Sequence, residues 1–149
     1  MSRISKEEMY LRMAEVAASR AACNRCSVGA VITDAALRNV LSVGYNGPPA
    51  HQPNKCPGDP NTAGACGCVH AEVNALMKAR FDSTALTIFV TVSPCINCAR
   101  LILNSNIRAV YYRAEYRNNA GAQLLISAGV SCYVLSAETV LDYAQERRD

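Results

Sequence analysis

Residues 86–112 read LTIFVTVSPCINCARLILNSNIRAVYY, and this stretch predicts the class of the fold. Its first part, Leu86–Val92, has the apolar and β-branched composition of a buried strand. Residues 95–103 have the apolar spacing of a helix. Ser93 and Pro94 fit the start of that helix, as its N-cap and its first residue. Residues 109–112 predict a second strand, and a strand, a helix and a strand in succession indicate an α/β fold.

The rest of the chain extends this alternation on both sides. Ser5 and Glu8 have the spacing of a capping box and open a helix whose apolar positions continue to about Ala22. Gly129 stands where the C-terminus of a helix favours a left-handed residue. The other predicted elements are strands at 28–33 and 40–44 joined by a polar hairpin at 34–39, helices at 71–79 and 120–128, a strand at 131–135 and a last helix from 137. This order predicts a three-layer α/β/α sandwich around a mixed five-stranded sheet.

Length and composition limit the class of protein. A chain of 149 residues predicts one domain over residues 1–149, large enough to fold without a staple. It has neither a run of about 18 apolar residues nor a signal-peptide pattern, so we expect a soluble, cytoplasmic protein with no membrane partner. In that reducing compartment the eight cysteines favour metal ligation over disulfides. A net charge of +3, no Trp and only two Phe argue against a stable nucleic-acid partner.

Two separated motifs predict a metal centre. His70-Ala71-Glu72 and Pro94-Cys95-Ile96-Asn97-Cys98 together supply one imidazole, two thiolates and one carboxylate. His70, Cys95 and Cys98 would hold zinc through three protein ligands and leave a fourth position for water, as in catalytic zinc sites. Glu72 is then available to carry the protons of that water. This combination is typical of zinc-dependent deaminases.

The chain resembles the cytidine and deoxycytidylate deaminase superfamily, and within it the deoxycytidylate (dCMP) deaminases most closely. The likeness runs from Cys23 to Val134. Its most discriminating part is the Gly-Tyr-Asn-Gly loop at 44–47 together with His-Ala-Glu-x-Asn-Ala at 70–75. Its other carriers are Cys23-Asn24-Arg25, Val28-Gly29-Ala30-Val31-Ile32, Pro94-Cys95-Ile96-Asn97-Cys98-Ala99 and residues 112–130.

The resemblance implies zinc-dependent hydrolysis of dCMP to dUMP, in pyrimidine nucleotide metabolism. Zinc lowers the pKa of bound water to about 7, so hydroxide would attack ring carbon C4 while Glu72 moves the protons. The resemblance also implies a substrate site, with Asn46 on the deoxyribose, the backbone of Ala71 on the pyrimidine, and Arg25, Tyr116 and Arg117 on the phosphate. Arginine forks and a tyrosine hydroxyl suit phosphate oxygens.

Four further cysteines, Cys23, Cys56, Cys66 and Cys68, lie in or before a loop rich in Pro, Gly and Asn that has no other source of order. By position they resemble the ligands of a second zinc in some bacterial and phage-like dCMP deaminases, which implies a closed structural site. The tight spacing of Cys66-Gly67-Cys68 leaves Cys26 or His51 as an alternative ligand. Free thiols in a self-packed loop are the alternative to any metal.

The resemblance also concerns assembly and regulation. Similar enzymes form hexamers and respond to dCTP and dTTP, and Arg80 lies near a position implicated in that control. A modified dCMP such as 5-methyl-dCMP, or a base in a nucleic acid, is an alternative substrate. A zinc-stabilised binding module without catalysis is the alternative from another class, but it leaves Glu72 and Asn46 without a role.

Overall fold

Helices and strands alternate along the chain after an initial helix and hairpin. The computed structural model describes residues 3–58, 61, 66–80 and 84–136. The elements within these residues are α1 (Lys6–Ala18), β1 (Gly29–Asp34), β2 (Val40–Tyr45), α2 (Ala71–Lys78), β3 (Leu86–Val92), α3 (Ile96–Leu103), β4 (Ile107–Ala114), α4 (Ala120–Ser127) and β5 (Ser131–Val134). The predicted helix from residue 137 lies outside the described residues. None of the described helices is long and apolar enough to cross a bilayer.

The strands form one mixed sheet in the order β2-β1-β3-β4-β5. β1 pairs antiparallel with β2 and with β3, whereas β3 with β4 and β4 with β5 are parallel pairs. The short connection at residues 35–39 suits antiparallel pairing, and α3 and α4 carry the chain back for parallel pairing. The predicted mixed five-stranded sheet is confirmed.

Helices cover both faces of the sheet because successive strand residues point to opposite sides. On one face, Tyr10, Leu11 and Ala14 of α1 pack against Val31 and Phe89. On the other face, α2, α3 and α4 cover the remaining buried strand residues; this core includes Ala75, Ile102, Leu125, Ile32, Ile88 and Val110. The predicted three-layer α/β/α sandwich is therefore confirmed, with α1 in one outer layer and α2, α3 and α4 in the other.

Helix α1 begins as the sequence predicts but ends earlier. The Ser5 hydroxyl accepts a hydrogen bond from the Glu8 N–H at 3.0 Å, which caps the helix. The helix ends at Ala18 and not near Ala22, since the Ala22 N–H donates to the Asn46 carbonyl at 3.1 Å instead of continuing the helix. This contact directs the chain after α1 towards the loop that follows β2.

The start of α3 also differs from the prediction. Cys95 is the N-cap residue, and its Sγ atom accepts a hydrogen bond from the Cys98 N–H at 3.5 Å. The backbone of Cys95 is still extended, with φ −68° and ψ 170°, so the helix begins at Ile96. The prediction of Ser93 as the N-cap is therefore wrong. The Ser93 hydroxyl instead accepts a hydrogen bond from the Tyr116 N–H at 2.7 Å.

Gly121 lets α4 lie directly against the loop before α3. A Cβ atom at this position would be 2.1 Å from the Pro94 carbonyl oxygen and 2.7 Å from the Cys95 carbonyl group. Both neighbours are backbone atoms, which cannot rotate away as a side chain can. The missing side chain therefore permits the packing that supports the loop carrying Cys95.

Candidate active site and metal centre

The three predicted ligands of the catalytic zinc come together where two helices begin. His70 is the N-cap residue of α2, Cys95 is the N-cap residue of α3, and Cys98 lies in the first turn of α3. The His70 Nδ1 atom is 3.5 Å from the Cys95 Sγ and 3.4 Å from the Cys98 Sγ. Nitrogen and sulfur ligands of one tetrahedral zinc lie about 3.6 Å apart. The spacing of these side chains therefore fits zinc.

The electrostatics of this group also suit a cation. The Cys98 thiol, and after it the His70 ring, lower the pKa of Cys95 to about 3, against the opposing effect of burial, so its sulfur is a thiolate. The hydrogen bond to Cys95, together with burial, raises the pKa of Cys98. The N-termini of α2 and α3 carry partial positive charge, which favours thiolates. A divalent cation at this point would let both sulfurs ionise side by side.

Glu72 is a buried acid beside these ligands. It lies in the first turn of α2, and only 4% of its surface is exposed. Burial raises the pKa of its carboxyl group, although hydrogen bonding to the backbone and the charge of His70 act in the opposite direction. A raised pKa makes a carboxyl group easier to protonate, as a group that accepts and returns a proton requires. Glu72 therefore has the environment of a general acid and base.

His70, Glu72 and Cys95 open onto one pocket of about 680 Å³, including solvent at its mouth. The pocket lies where β3 and β4 end, and the carboxyl ends of parallel strands are the usual ligand site of an α/β sheet. It is lined by Cys23, Arg25, Cys26, Val28, Asn46, Cys66, Cys68, His70, Ala71, Glu72, Val92, Ser93, Cys95 and Tyr116. Most of the predicted metal and substrate residues thus share one cavity.

Arg25 contributes an unpaired cationic group to this pocket. Its Nη1 atom is buried and has no hydrogen-bond partner among the described residues. A buried polar group without a partner costs about 1–3 kcal/mol, and a charged group costs more. An anion bound beside Arg25 would remove that cost.

Asn46 is held by the backbone of the loop that carries Arg25. Its Oδ1 atom accepts a hydrogen bond from the Val28 N–H at 2.8 Å, and its Nδ2 atom donates to the Cys26 carbonyl at 2.6 Å. Only 6% of Asn46 is exposed. These bonds use one of the two amide hydrogens. Asn46 therefore orders this loop and still has a second hydrogen available as a donor.

The other residues that the resemblance assigned to substrate or effector binding lie in different places. Ala71 is fully buried and lines the pocket, and Tyr116 lines it with 36% of its surface exposed. Arg117 is exposed and is not among the residues that line the pocket. Arg80 is also exposed, and it lies in a separate groove beside Asp34. The described structure therefore brings Ala71 and Tyr116 to the metal ligands, but not Arg117 or Arg80.

The four remaining predicted ligands form a second cluster, and three of its members, Cys23, Cys66 and Cys68, line the same pocket. The Sγ atoms of Cys23 and Cys66 are 3.9 Å apart, and those of Cys56 and Cys68 are 3.7 Å apart. All four sulfur atoms lie within 4.8 Å of one another. Sulfur ligands of one tetrahedral zinc lie about 3.8 Å apart. The cluster therefore has the dimensions of a four-cysteine zinc site.

Backbone N–H groups point at two sulfurs of this cluster. Hydrogen bonds from Asn24 and Gly58 lower the pKa of Cys56 to about 7. Burial acts to raise the pKa of Cys23, but hydrogen bonds from the Arg25 and Cys26 N–H groups outweigh it and lower that pKa. Such bonds stabilise thiolates, the form that binds metal.

The two alternative ligands are not in this cluster. Among the described residues, the groups with metal-binding geometry contain neither Cys26 nor His51. Cys26 lines the pocket, where burial raises the pKa of its thiol. His51 is an exposed loop residue with a left-handed backbone, at φ 68°.

Sequence reasoning did not assign three of the lining residues, Val28, Val92 and Ser93, to the site. Val28 and Val92 lie beside strand ends, where a sequence pattern cannot separate a pocket wall from the core. Ser93 directly precedes Pro94 and Cys95, and that adjacency was the available signal. The same serine also fits a helix N-cap, because serine is common both at N-caps and in turns, so the sequence predicts capping and not a place in the pocket wall.

Comparison with known proteins adds independent information. A family model described as the cytidine and deoxycytidylate deaminase zinc-binding region matches residues 4–114. Deoxycytidylate deaminase of Saccharomyces cerevisiae is 33% identical over 142 residues, covering 88% of this chain and 45% of the yeast protein. Deoxycytidylate deaminase of Mycobacterium phage D29 is 39% identical over 129 residues, covering 77% of this chain and 99% of the phage protein.

A solved structure agrees over a similar length. The crystal structure of dCMP deaminase from the cyanophage S-TIM5, in complex with dCMP and dUMP, superimposes with a TM-score of 0.78 at 31% identity. The match covers 87% of this chain and 96% of the cyanophage chain. The chain thus spans less than half of the yeast protein but nearly all of both phage proteins.

Proposed function

The chain belongs to the cytidine and deoxycytidylate deaminase zinc-binding family, and on that premise we propose that it hydrolyses dCMP to dUMP and ammonia. The choice of a monophosphate rests on the Nη1 atom of Arg25, which has no hydrogen-bond partner among the described residues. Arg25 lines the pocket that also contains His70 and Glu72. A free nucleoside would leave that guanidinium nitrogen without a partner, whereas a 5′-phosphate would satisfy it.

The proposed contacts divide the substrate into three parts. The phosphate is bound by the guanidinium of Arg25 and the hydroxyl of Tyr116, and each charge-assisted hydrogen bond contributes about 1.5–3 kcal/mol. The resemblance also assigns Arg117 to the phosphate, but this residue does not line the pocket in the described structure. The second amide hydrogen of Asn46 serves the deoxyribose, and the backbone of Ala71 contacts the pyrimidine.

Zinc held by His70, Cys95 and Cys98 would supply Lewis-acid activation of water for attack at C4 of the pyrimidine. Glu72 takes one proton from the attacking water and transfers it to ring nitrogen N3. It then takes the second proton of that water, from the new C4–OH group, and delivers it to the departing amine, which leaves as ammonia. One water is consumed, and the C4–N bond is replaced by a C4–O bond. The burial of Glu72 supports this role because it keeps the carboxyl group away from bulk water and raises its pKa.

We also propose that Cys23, Cys56, Cys66 and Cys68 hold a second, structural zinc. The sulfur spacing and the backbone N–H groups that point at the thiols support it. Because the described residues of the loop between β2 and α2 form no helix or strand, zinc binding there would supply much of its folding energy. We expect about two zinc ions per chain and about one after Cys66→Ser, while one zinc in the unmodified protein would support free thiols.

A substrate panel tests the proposed activity on the same sample. The protein is mixed separately with dCMP, 5-methyl-dCMP, deoxycytidine and single-stranded DNA, and the loss of cytosine absorption is followed. We expect kcat/KM for dCMP to exceed that for deoxycytidine by about 10-fold or more, as lost phosphate contacts predict.

Each other outcome favours a defined alternative. Equal efficiency on deoxycytidine would overturn the monophosphate assignment. A clear preference for 5-methyl-dCMP or for DNA would favour a modified nucleotide or a nucleic-acid base as the substrate. No reaction with any of the four would favour a zinc-stabilised binding module.

The resemblance leads us to propose finer properties as well. The chain forms one domain over residues 1–149, acts in the cytoplasm, assembles as a homohexamer, and is regulated by dCTP and dTTP. Sedimentation equilibrium with and without each triphosphate, followed by assays at subsaturating dCMP, tests assembly and regulation together. A monomer whose kinetics with dCMP stay hyperbolic in the presence of dCTP and of dTTP would reject both the hexamer and the regulation.

A further inference from the structure

Ser93 joins the loop of the metal ligand Cys95 to the segment that carries Tyr116. Only 3% of Ser93 is exposed, and it lines the pocket. Its N–H donates to the Ala114 carbonyl at 2.8 Å, and its hydroxyl oxygen accepts from the Tyr116 N–H at 2.7 Å. One residue therefore holds the chain that follows β4 against the chain that follows β3.

This contact lies where regular strand pairing ends. The last residue pair between β3 and β4 is Val92 with Ala114. Residues 115–119, which follow, are exposed and belong to no helix or strand. Segments with few buried contacts open most easily. The Ser93 hydroxyl thus takes the place of a backbone acceptor just beyond the sheet, at the point where Tyr116 enters the pocket wall.

The hydroxyl is available for this contact because it does not cap α3. Cys95 occupies the N-cap position, and its sulfur accepts the Cys98 N–H. The Ser93 Oγ atom is thereby free to accept from a residue 23 positions away along the chain. Its place between Cys95 and Tyr116 connects the metal end of the pocket with the end proposed to bind phosphate.

We propose that Ser93 is a positioning residue that sets affinity for the phosphorylated substrate, by holding the backbone of Tyr116 at the phosphate end of the pocket. This inference rests on the proposed function, in which the Tyr116 hydroxyl contacts the phosphate. Ser93 takes no part in the proton transfers and binds no metal. Its effect should therefore appear in binding, and only for ligands that carry a phosphate.

The experiment compares Ser93→Ala with the unmodified protein by calorimetric binding of dUMP and deoxyuridine and by steady-state kinetics with dCMP. Loss of one positioned hydrogen bond predicts that the Kd for dUMP and the KM for dCMP rise about 3- to 10-fold. We expect kcat to stay within about twofold. The Kd for deoxyuridine and the zinc content should not change. Ser93→Thr, which keeps a hydroxyl group, should restore dUMP binding.

Ser105 offers a matched control at the other end of α3. Its hydroxyl oxygen also accepts a backbone hydrogen bond, from the Ile107 N–H at 3.2 Å, but Ser105 does not line the pocket. Ser105→Ala should leave the Kd for dUMP unchanged. If Ser93→Ala does not fold, Ser93→Cys is measured instead, with the same expected result. This variant only replaces the hydroxyl oxygen with sulfur, which is a weak hydrogen-bond acceptor.

A double-mutant cycle shows whether Ser93 acts through Tyr116. Tyr116→Phe removes the proposed phosphate contact, so Ser93→Ala should weaken dUMP binding much less in that background. Unchanged dUMP binding in Ser93→Ala, equal losses for dUMP and deoxyuridine, or a fully additive cycle would each overturn the proposal. Failure of the proposed function is distinguishable from failure of the Ser93 proposal. If the proposed function is wrong, the unmodified protein binds dUMP no better than deoxyuridine.

Discussion

Replacing Gly121 with alanine should displace the loop that carries Cys95, one of the three proposed zinc ligands. The new Cβ atom would lie 2.1 Å from the Pro94 carbonyl oxygen and 2.7 Å from the Cys95 carbonyl group. Non-bonded heavy atoms are most favourable at about 3.5 Å, so the new Cβ atom and the Pro94 carbonyl oxygen must move apart by about 1.4 Å. The rigid packing of α4 resists that movement, because its Leu125 is fully buried in the core.

The expected effect of Gly121→Ala has two components, a loss of stability and a loss of zinc affinity. Overpacking costs typically about 1–3 kcal/mol of stability, and a backbone clash of this size belongs at the upper end. Zinc sites tolerate ligand displacements of only about 0.2 Å, so we expect zinc affinity at the His70, Cys95 and Cys98 site to fall by about 10-fold or more. Thermal unfolding measures the first component, and competition with a chromogenic chelator measures the second.

Gly129 supplies the control for general instability. It has a left-handed backbone, with φ 89°, and a Cβ atom there would meet nothing within 4 Å. Gly129→Ala should therefore cost about 1–2 kcal/mol through its backbone alone and leave zinc affinity unchanged. The reasoning is refuted if Gly121→Ala retains zinc as the unmodified protein does, or if both variants lose zinc equally.

The remaining predictions concern the acid–base group and the anchor of α1. Glu72→Gln should keep the zinc content but lower kcat by about 10²- to 10⁴-fold, since an amide cannot carry protons; near-normal turnover measured by cytosine absorption would contradict this role. Burial acts to raise the pKa of Glu8, but its hydrogen bonds and ion pairs with Arg113 and Arg12 lower that pKa below 4.5. This stabilisation is present above pH 4.5 and is lost as pH falls through the lower folded-state value. In urea unfolding at pH 7 and pH 4, the unmodified protein should therefore lose more stability on acidification than Glu8→Gln; equal losses would reject this account.

The order of elements could be predicted because it depends on local patterns. The predicted strand Leu86–Val92 has the bounds of β3, since its apolar run ends at polar residues and a proline. The grouping of the three candidate ligands of the first metal centre was also predictable. His70 and Cys95 precede the first turns of two helices, and Cys98 lies in one of those turns, where short spacings fix which side chains are close.

The errors arise where a distant residue competes for a backbone or side-chain group. The first helix was expected to reach Ala22, but the Ala22 N–H bonds to Asn46. Ser93 was expected to cap a helix, but its hydroxyl bonds to Tyr116. A local pattern records the intrinsic preference of a residue and not the partner that the folded chain presents to it.

The amino-acid sequence by itself determined the candidate donor atoms for metal, the alternation of strands and helices, and the family to which the chain belongs. Only the tertiary structure decided that the sulfurs of Cys23, Cys56, Cys66 and Cys68 meet without Cys26 or His51. It likewise decided that Arg25 has a buried nitrogen without a partner among the residues that the structure describes. The physical reason is distance along the chain. These arrangements depend on how β1, β3 and β4 pair and on where the loops between them cross. Strand pairing of this kind brings together residues that are far apart in the sequence, and local sequence patterns do not predict such contacts.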